Sequence, residues 1–102
     1  MKILQQAQEM QGRMAKLQED LQNMTLTGTA GGGMVTADVN GQGVVKRIKI
    51  DPSVVNPADT EMLEDLVSVA VADAQRKATE RQQQEMGALA GGLNLPFKLP
   101  GL

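Results

Sequence analysis

Apolar residues near the amino terminus recur at alternating intervals of four and three positions, with Gln, Glu, Lys and Arg between them. They are Ile3, Ala7, Met10, Met14, Leu17, Leu21 and Met24. This spacing is the a/d pattern of a heptad helix and predicts one long helix. About 22 helical residues would reach about 33 Å, which is long for so small a chain. We therefore expect part of this stripe to meet another helix, either the second helix of this chain or a helix of a second copy.

The apolar period changes from helical to alternating after Met24. The Thr-rich run MTLTGTA predicts a first strand, the glycines at 31–33 a flexible turn, and MVTADVN a second strand. NGQG at 40–43 predicts a hairpin turn into a third strand, VVKRIKI, because Asn-Gly tolerates positive φ. A two-residue loop at 41–42 would pair Val39 with Val44, Val35 with Ile48, Asp38 with Val45 and Thr36 with Arg47.

The third strand concentrates three cations in a chain of formal net charge −2. The alternation predicts one apolar sheet face that includes a single charged residue, Lys46, near its rim. It places Arg47 and Lys49 on the opposite face. Two interpretations stay open. The cations are either the solvated face of a meander or a surface that meets phosphates.

A short helical turn is predicted at DPSVV, because Pro52 suits the first position of a helix. A long helix should follow Asn56-Pro57 and run to about Met86. Its first half is apolar on so many sides that we expect a second copy to cover part of it. The predicted dimer interface comprises Leu63, Leu66, Val67, Ala70, Val71 and Ala74. The later run TERQQQE has no apolar side and should project into water.

The pattern predicts a single α+β domain over residues 1–88 and a flexible Gly/Leu/Pro tail over 89–102. Leu93, Leu95, Phe97 and Leu99 are the tail's candidates for docking. Phe97 is the only aromatic residue, so base stacking is not available to the folded body.

The inventory of catalytic groups is short. The chain has no Cys and no His, and its only serines are Ser53 and Ser68, so thiol and charge-relay chemistry are excluded. Acidic residues at 59, 61, 64 and 65 lie at the start of a predicted helix, where the helix dipole accounts for them without a metal. We expect no enzyme, metal, cofactor or small-molecule substrate. Apolar runs stay short of the ~20 residues of a membrane span, which favours a soluble cytoplasmic protein.

The order of these elements carries a resemblance. QAQEMQGRMAKLQE, TGTAGGGMVTADVNG and KIDPSVV followed by EMLEDLVSVAVADAQRKATE make the chain similar to the YbaB/EbfC family of bacterial nucleoid-associated proteins over roughly residues 2–86. The resemblance implies a tweezer-like homodimer in the nucleoid with projecting helical arms. It also implies binding to double-stranded DNA with little or modest sequence preference.

The family's use of its helical arms favours Arg13, Lys16, Arg76, Lys77 and Arg81 as DNA contacts, with Arg47 and Lys49 as secondary ones. Ordinary surface pairs such as Glu9 with Arg13 and Arg76 with Glu80 are the competing explanation for the helical cations. Two other functional classes stay open. One is a dimeric protein-interaction adaptor linked to recombination and repair, and the other, with less support, is a small-ligand enzyme.

Overall fold

The computed structural model describes residues 2–92, with side chains described as far as Leu89. Helix α1 spans Lys2–Asn23, strands β1, β2 and β3 span Leu26–Ala30, Val35–Val39 and Val45–Ile50, and helix α2 spans Thr60–Gly92. Two 3-10 turns, Gly31–Gly33 and Pro52–Val54, lie between them. The three strands form one antiparallel sheet in the order β1-β2-β3. The predicted α+β order of helix, meander, short turn and helix is thus confirmed.

Helix α2 packs across β1 and β2, where it approaches the backbone of β1 closely. Ala70 and Ala74 are fully buried there, opposite Gly28. A Cβ atom built at Gly28 would lie 2.8 Å from the Cα of Ala74 and closer still to the backbone of Ala70. The small residues on both sides therefore set the distance between helix and sheet. Val35, Ala37 and Val39 of β2 complete the centre of the core.

The predicted register between β2 and β3 is wrong by two residues along most of the pair and by one residue at Val39, next to the hairpin loop. Val35 pairs with Ile50, Thr36 with Lys49, Ala37 with Ile48, Asp38 with Arg47 and Val39 with Val45. A shift of two preserves which side chains share a face, so Arg47 and Lys49 lie on the face opposite the core, as predicted.

The hairpin loop explains the shift. The buried Asn40 closes a wider loop: its backbone N–H donates to the carbonyl of Val44 at 2.9 Å. Its Oδ1 accepts from the backbone N–H groups of Gln42 and Val44 at 2.9 and 3.0 Å. In this loop the backbone has positive φ at Gly43, and the two-residue turn predicted at 41–42 does not form. Lys46 is the extra residue of a bulge opposite Asp38 and Val39, so the predicted placement of Lys46 within the regular alternation is also wrong.

Helix α1 is covered by the rest of the chain only in its carboxyl-terminal half. Leu17 and Leu21 are buried, and the carbonyl of Leu21 accepts a hydrogen bond from the backbone N–H of Gly41 at 2.7 Å. Ile3 and Leu4, by contrast, are 82% and 63% exposed. The stripe predicted from the sequence is therefore partly core and partly surface.

Helix α2 begins at Thr60, where Asp59 Oδ1 accepts the backbone N–H of Met62 at 3.2 Å. It continues to Gly92, beyond the predicted end at about Met86. Residues 89–92 are thus helical, and the rest of the predicted tail, including its four docking candidates, lies outside the described residues. The expectation that TERQQQE lies wholly in water is wrong at Gln82, whose Nε2 donates to the carbonyl of Gly41 at 2.6 Å.

Candidate nucleic-acid interface

The outer face of the sheet, away from α2, is polar and carries two exposed cations. Arg47 lies beside Asp38 and Lys49 beside Thr36 in the strand register. Asp38 accepts a hydrogen bond from the Thr27 hydroxyl at 2.7 Å. Within residues 2–89 neither Arg47 nor Lys49 forms an ion pair. Both charges are therefore available to an anion that approaches this face.

Lys46 has a different environment from its two neighbours. As the extra residue of the bulge, it leaves the regular alternation of β3. Its Nζ donates to the hydroxyl of Thr25 at 2.8 Å, just after the end of α1. This contact ties the third strand to the segment that connects α1 to β1.

The α1 cations Arg13 and Lys16 lie on an exposed flank of that helix. They border an open cleft of about 270 Å³ whose other walls include Leu17, Glu85 and Leu89. The Glu9–Arg13 pair that the spacing permits is not formed, and across the described residues neither cation has an ion-pair partner. These two side chains remain free to meet phosphates.

The three α2 cations are instead neutralised by carboxylates of the same helix. Arg76 contacts Asp73 at 2.9 Å and Glu80 at 2.8 Å. Arg81 Nε contacts Glu85 at 3.0 Å. Lys77 lies 3.5 Å from Asp73 and also donates to the carbonyl of Thr27, at 2.8 Å. The Arg76–Glu80 pair expected from the sequence is present.

Asp73 is the residue that sequence reasoning missed, although its spacing of three and four from Arg76 and Lys77 was visible. Its Oδ2 accepts the backbone N–H of Thr29 on β1 at 3.1 Å. That hydrogen bond, followed by the one from Arg76, lowers the pKa of Asp73 below its usual value. The hydrogen bonds to Asp73 and Glu80 correspondingly raise the pKa of Arg76.

Negative charge is concentrated away from these cations along the chain. Five carboxylates fall within residues 51–65, where there is no Lys or Arg: Asp51, Asp59, Glu61, Glu64 and Asp65. Asp51 caps the turn before α2, and the backbone N–H of Ser53, helped by its hydroxyl, lowers the pKa of that carboxyl. The overall acidity of the chain thus arises largely from one segment. Strand β3 carries three cations and no carboxylate, whereas α1 is balanced, with three cations and three carboxylates.

The residues predicted for a dimer interface lie mainly against the sheet of their own chain. Ala70 and Ala74 have no exposed surface, and Leu63, Leu66, Val67 and Val71 are partly buried against the core. Apolar surface is exposed elsewhere, at Val44, Val45 and Ile48 around β3 and at Met62 and Val69 on α2.

Two further features concern metal binding and membrane spans. Within the described residues, no group of three or more potential ligands lies together to hold a metal ion. Neither α1 nor α2, over residues 2–92, has the length and apolar character that a membrane span requires.

The family model and the curated relatives that match this chain agree with one another. A sequence model of the YbaB/EbfC DNA-binding family matches residues 1–93. The chain is 57% identical over 99 residues to a nucleoid-associated protein of Gemmatimonas aurantiaca, covering 97% of this chain and 95% of the relative. It is 53% identical over 95 residues to nucleoid-associated protein DP1429 of Desulfotalea psychrophila, covering 93% and 90%.

Among solved structures, the crystal structure of the uncharacterized protein HP0035 from Helicobacter pylori has a similar fold, with a TM-score of 0.76. The alignment covers 86% of this chain and 92% of that one at 23% identity. At this identity the similarity bears on the fold alone.

Proposed function

Since the chain belongs to the YbaB/EbfC DNA-binding family, we propose that it is a nucleoid-associated protein that binds double-stranded DNA through the backbone phosphates as a homodimer. The observation that carries the proposal is the contrast between free and neutralised cations. Arg13, Lys16, Arg47 and Lys49 have no ion-pair partner among residues 2–89, whereas Arg76, Lys77 and Arg81 do.

This contrast changes the ranking expected from the sequence. A phosphate that binds Arg76 or Arg81 must compete with carboxylates already 2.8–3.0 Å away. Within residues 2–89, a phosphate that binds Arg47 or Lys49 has no existing ion pair to break. The sheet cations and the α1 cations are therefore the main proposed contacts, and the α2 cations are secondary.

Sequence preference is proposed to be weak. Phosphate contacts fix the position of a protein on DNA but carry no sequence information, and base-edge contacts are needed to read it. The proposed contacts are long, exposed Lys and Arg side chains on one strand and one helix flank, without an Asn/Arg set on a recognition helix. Binding should consequently tolerate most duplex sequences.

The open strand edge supports a dimer built around β3. β1 is an edge strand, but its backbone is bonded by α2 side chains at Thr27 and Thr29. Within residues 2–89 no side chain bonds the backbone of β3, and Val45 and Ile48 are 41% and 39% exposed. A second copy is the partner that would both pair this edge and cover its apolar residues.

The α2 residues predicted for the interface would then contribute only through their exposed parts. Val67 and Val71 lie on the side of α2 from which Gln75 reaches the carbonyl of Gly43, next to β3. They are the members of the predicted set best placed to extend an interface centred on β3.

The experiment that tests DNA binding is a fluorescence-anisotropy titration of a labelled duplex at several salt concentrations. If a dimer engages about six phosphates, log K should fall with log salt at a slope of about −5, and affinity should fall about 10³-fold between 50 and 200 mM salt. A salt-insensitive complex would contradict binding through phosphates. Wild-type protein that does not bind at low salt would favour the protein-interaction adaptor.

Matched double-alanine variants locate the contacts. Arg47→Ala with Lys49→Ala, and Arg13→Ala with Lys16→Ala, should each weaken binding and reduce the salt slope. Arg76→Ala with Arg81→Ala removes the same formal charge but should weaken binding less, because those cations are already paired. Equal losses in all three variants would indicate that only net charge matters. Sedimentation confirms that the oligomeric state is unchanged.

A further inference from the structure

The hairpin loop between β2 and β3 is held by both helices of the chain. On the side of α1, the backbone N–H of Gly41 donates to the carbonyl of Leu21 at 2.7 Å. Gln42 Nε2 donates to Gln18 Oε1 on the same helix at 3.1 Å. On the side of α2, Gln82 Nε2 donates to the carbonyl of Gly41 at 2.6 Å. Both backbone polar groups of Gly41 are thus bound to a helix.

The residue before Gly41 is fixed as firmly. Asn40 is 7% exposed, and its Oδ1 accepts the backbone N–H groups of Gln42 and Val44 at 2.9 and 3.0 Å. The approach of α1 is also close, since a Cβ atom built at Gly41 would lie 2.8 Å from the carbonyl oxygen of Leu21. The Asn40 side chain and the Gly41 nitrogen are therefore each bound to other groups of the fold.

Asparagine followed by glycine is prone to spontaneous deamidation, because glycine has no side chain to hinder ring closure. The glycine nitrogen loses its proton and attacks Cγ of the asparagine. A C–N bond forms, the Cγ–Nδ2 bond breaks and ammonia leaves. Water then opens the succinimide ring at either carbonyl and gives aspartate or isoaspartate, so the net reaction consumes one water and releases one ammonia. Asn40 is the only asparagine of the sequence that precedes a glycine.

The native contacts of the loop oppose both steps of ring closure. The Gly41 N–H is bound to the Leu21 carbonyl, a neutral oxygen that does not remove its proton. The Asn40 side chain must also leave its two backbone donors before Cγ can reach the Gly41 nitrogen. Deamidation therefore has to follow a local opening in which the loop separates from the helices.

We propose that Asn40 is a deamidation site that α1 and α2 jointly protect, so that separation of either helix from the loop exposes it to modification. Isoaspartate adds one methylene group to the backbone at position 40, and this displaces the Gly41 groups that bind Leu21 and Gln82. The modification thus makes a transient separation of the helices permanent. The proposal is independent of DNA binding and of the dimer.

Peptide-mapping mass spectrometry of the full chain, incubated at mildly alkaline pH, measures the conversion of Asn40. We expect the folded chain to deamidate at least about ten-fold more slowly than the chain unfolded in guanidinium chloride. Equal rates in the folded and unfolded chains would overturn the proposal.

Matched variants test whether the helices supply the protection. Gln82→Ala and Gln18→Ala each remove one side-chain hydrogen bond to the loop and should raise the rate about two- to ten-fold. Gln83→Ala and Gln22→Ala, at exposed neighbours on the same two helices, should leave the rate unchanged. Circular dichroism confirms that all four variants are folded. Rates for the first pair that match those of the second pair would overturn protection by the helices.

Hydrogen exchange tests the consequence of the modification. The isoaspartyl form, separated by anion-exchange chromatography, should exchange the Gly41 amide and the last turn of α1 faster than the unmodified chain. Asn40→Asp adds the charge without the methylene group and should exchange these amides more slowly than the isoaspartyl form. Exchange of the isoaspartyl form at the unmodified rate would overturn the release of the helices.

Discussion

Asp73 of α2 accepts the backbone N–H of Thr29 on β1 at 3.1 Å, so a helix carboxylate occupies a hydrogen-bonding position at the edge of the sheet. Lys77, one turn later, donates to the carbonyl of Thr27 and lies 3.5 Å from the same carboxylate. The two side chains satisfy backbone groups that would otherwise be available to another strand. One edge of the sheet is closed in this way, and the β3 edge has no corresponding cover among residues 2–89.

The Asp73 contact predicts a pH dependence of stability. The folded pKa of Asp73 is depressed, so its contribution is complete above the unfolded value of about 3.8 and is lost as pH falls through the lower folded value. Asp73→Asn should lower the thermal midpoint at pH 7 and flatten its fall below about pH 4. Circular dichroism melts from pH 2 to 7 measure both effects. Asp65→Asn is the control at an exposed carboxylate, and equal behaviour of the two variants would contradict the assignment.

The sequence predicted the elements because their patterns are local. The heptad stripe, the Thr-rich alternation and the Asp51-Pro52 cap all specify structure within a few residues, and the family resemblance that they supported is confirmed. The register of β3 depends on the conformation of the hairpin loop. In that loop the side-chain oxygen of buried Asn40 accepts hydrogen bonds from two backbone N–H groups. No local pattern distinguished this loop from a two-residue turn.

The candidate site was less predictable than the fold. The sequence placed Arg47 and Lys49 on the outer sheet face correctly, because strand alternation decides it. It did not show that Lys77 reaches the backbone of β1 at Thr27, since that contact joins residues far apart in the chain. The ion pairs of the α2 cations are, by contrast, local, since each joins residues three or four apart in the same helix.

The close approach of β1 to α2 predicts a severe effect of adding one methyl group. Gly28→Ala would place Cβ against the backbone of Ala70 and Ala74, which cannot move as a side chain can. We expect a loss of about 3 kcal/mol in the free energy of unfolding. Gly12→Ala is the matched control on α1, with nothing within 4 Å of its added methyl, and should stabilise by about 0.5–1 kcal/mol. Urea denaturation of both variants measures the difference.

The open edge predicts which substitution separates a dimer. Ile48→Asp places a charge among the exposed apolar residues of β3 and should shift the chain to monomers at micromolar concentration without unfolding it. Val69→Asp, at a residue 56% exposed on α2, should leave the assembly intact. Sedimentation velocity with circular dichroism as a check on folding distinguishes the two. Dissociation by Val69→Asp alone would place the interface on the opposite side of α2.

The paired cations of α2 predict that removing a carboxylate strengthens DNA binding. Glu85 is the only ion-pair partner that Arg81 has among the described residues, at 3.0 Å. Glu85→Gln should release the guanidinium for a phosphate, raise affinity about two- to five-fold at 50 mM salt and steepen the salt slope by about one for each added phosphate contact.

Glu64→Gln is the matched control for this gain, because it makes the same change in net charge within the acidic segment 51–65 and touches no cation in the described residues. Anisotropy titrations at 50 and 200 mM salt compare the two variants. A gain confined to Glu85→Gln, and lost when Arg81→Ala is added, would assign the effect to the freed arginine. Equal gains in both variants would mean that long-range charge governs binding, and the distinction between free and neutralised cations would then carry no weight for DNA recognition.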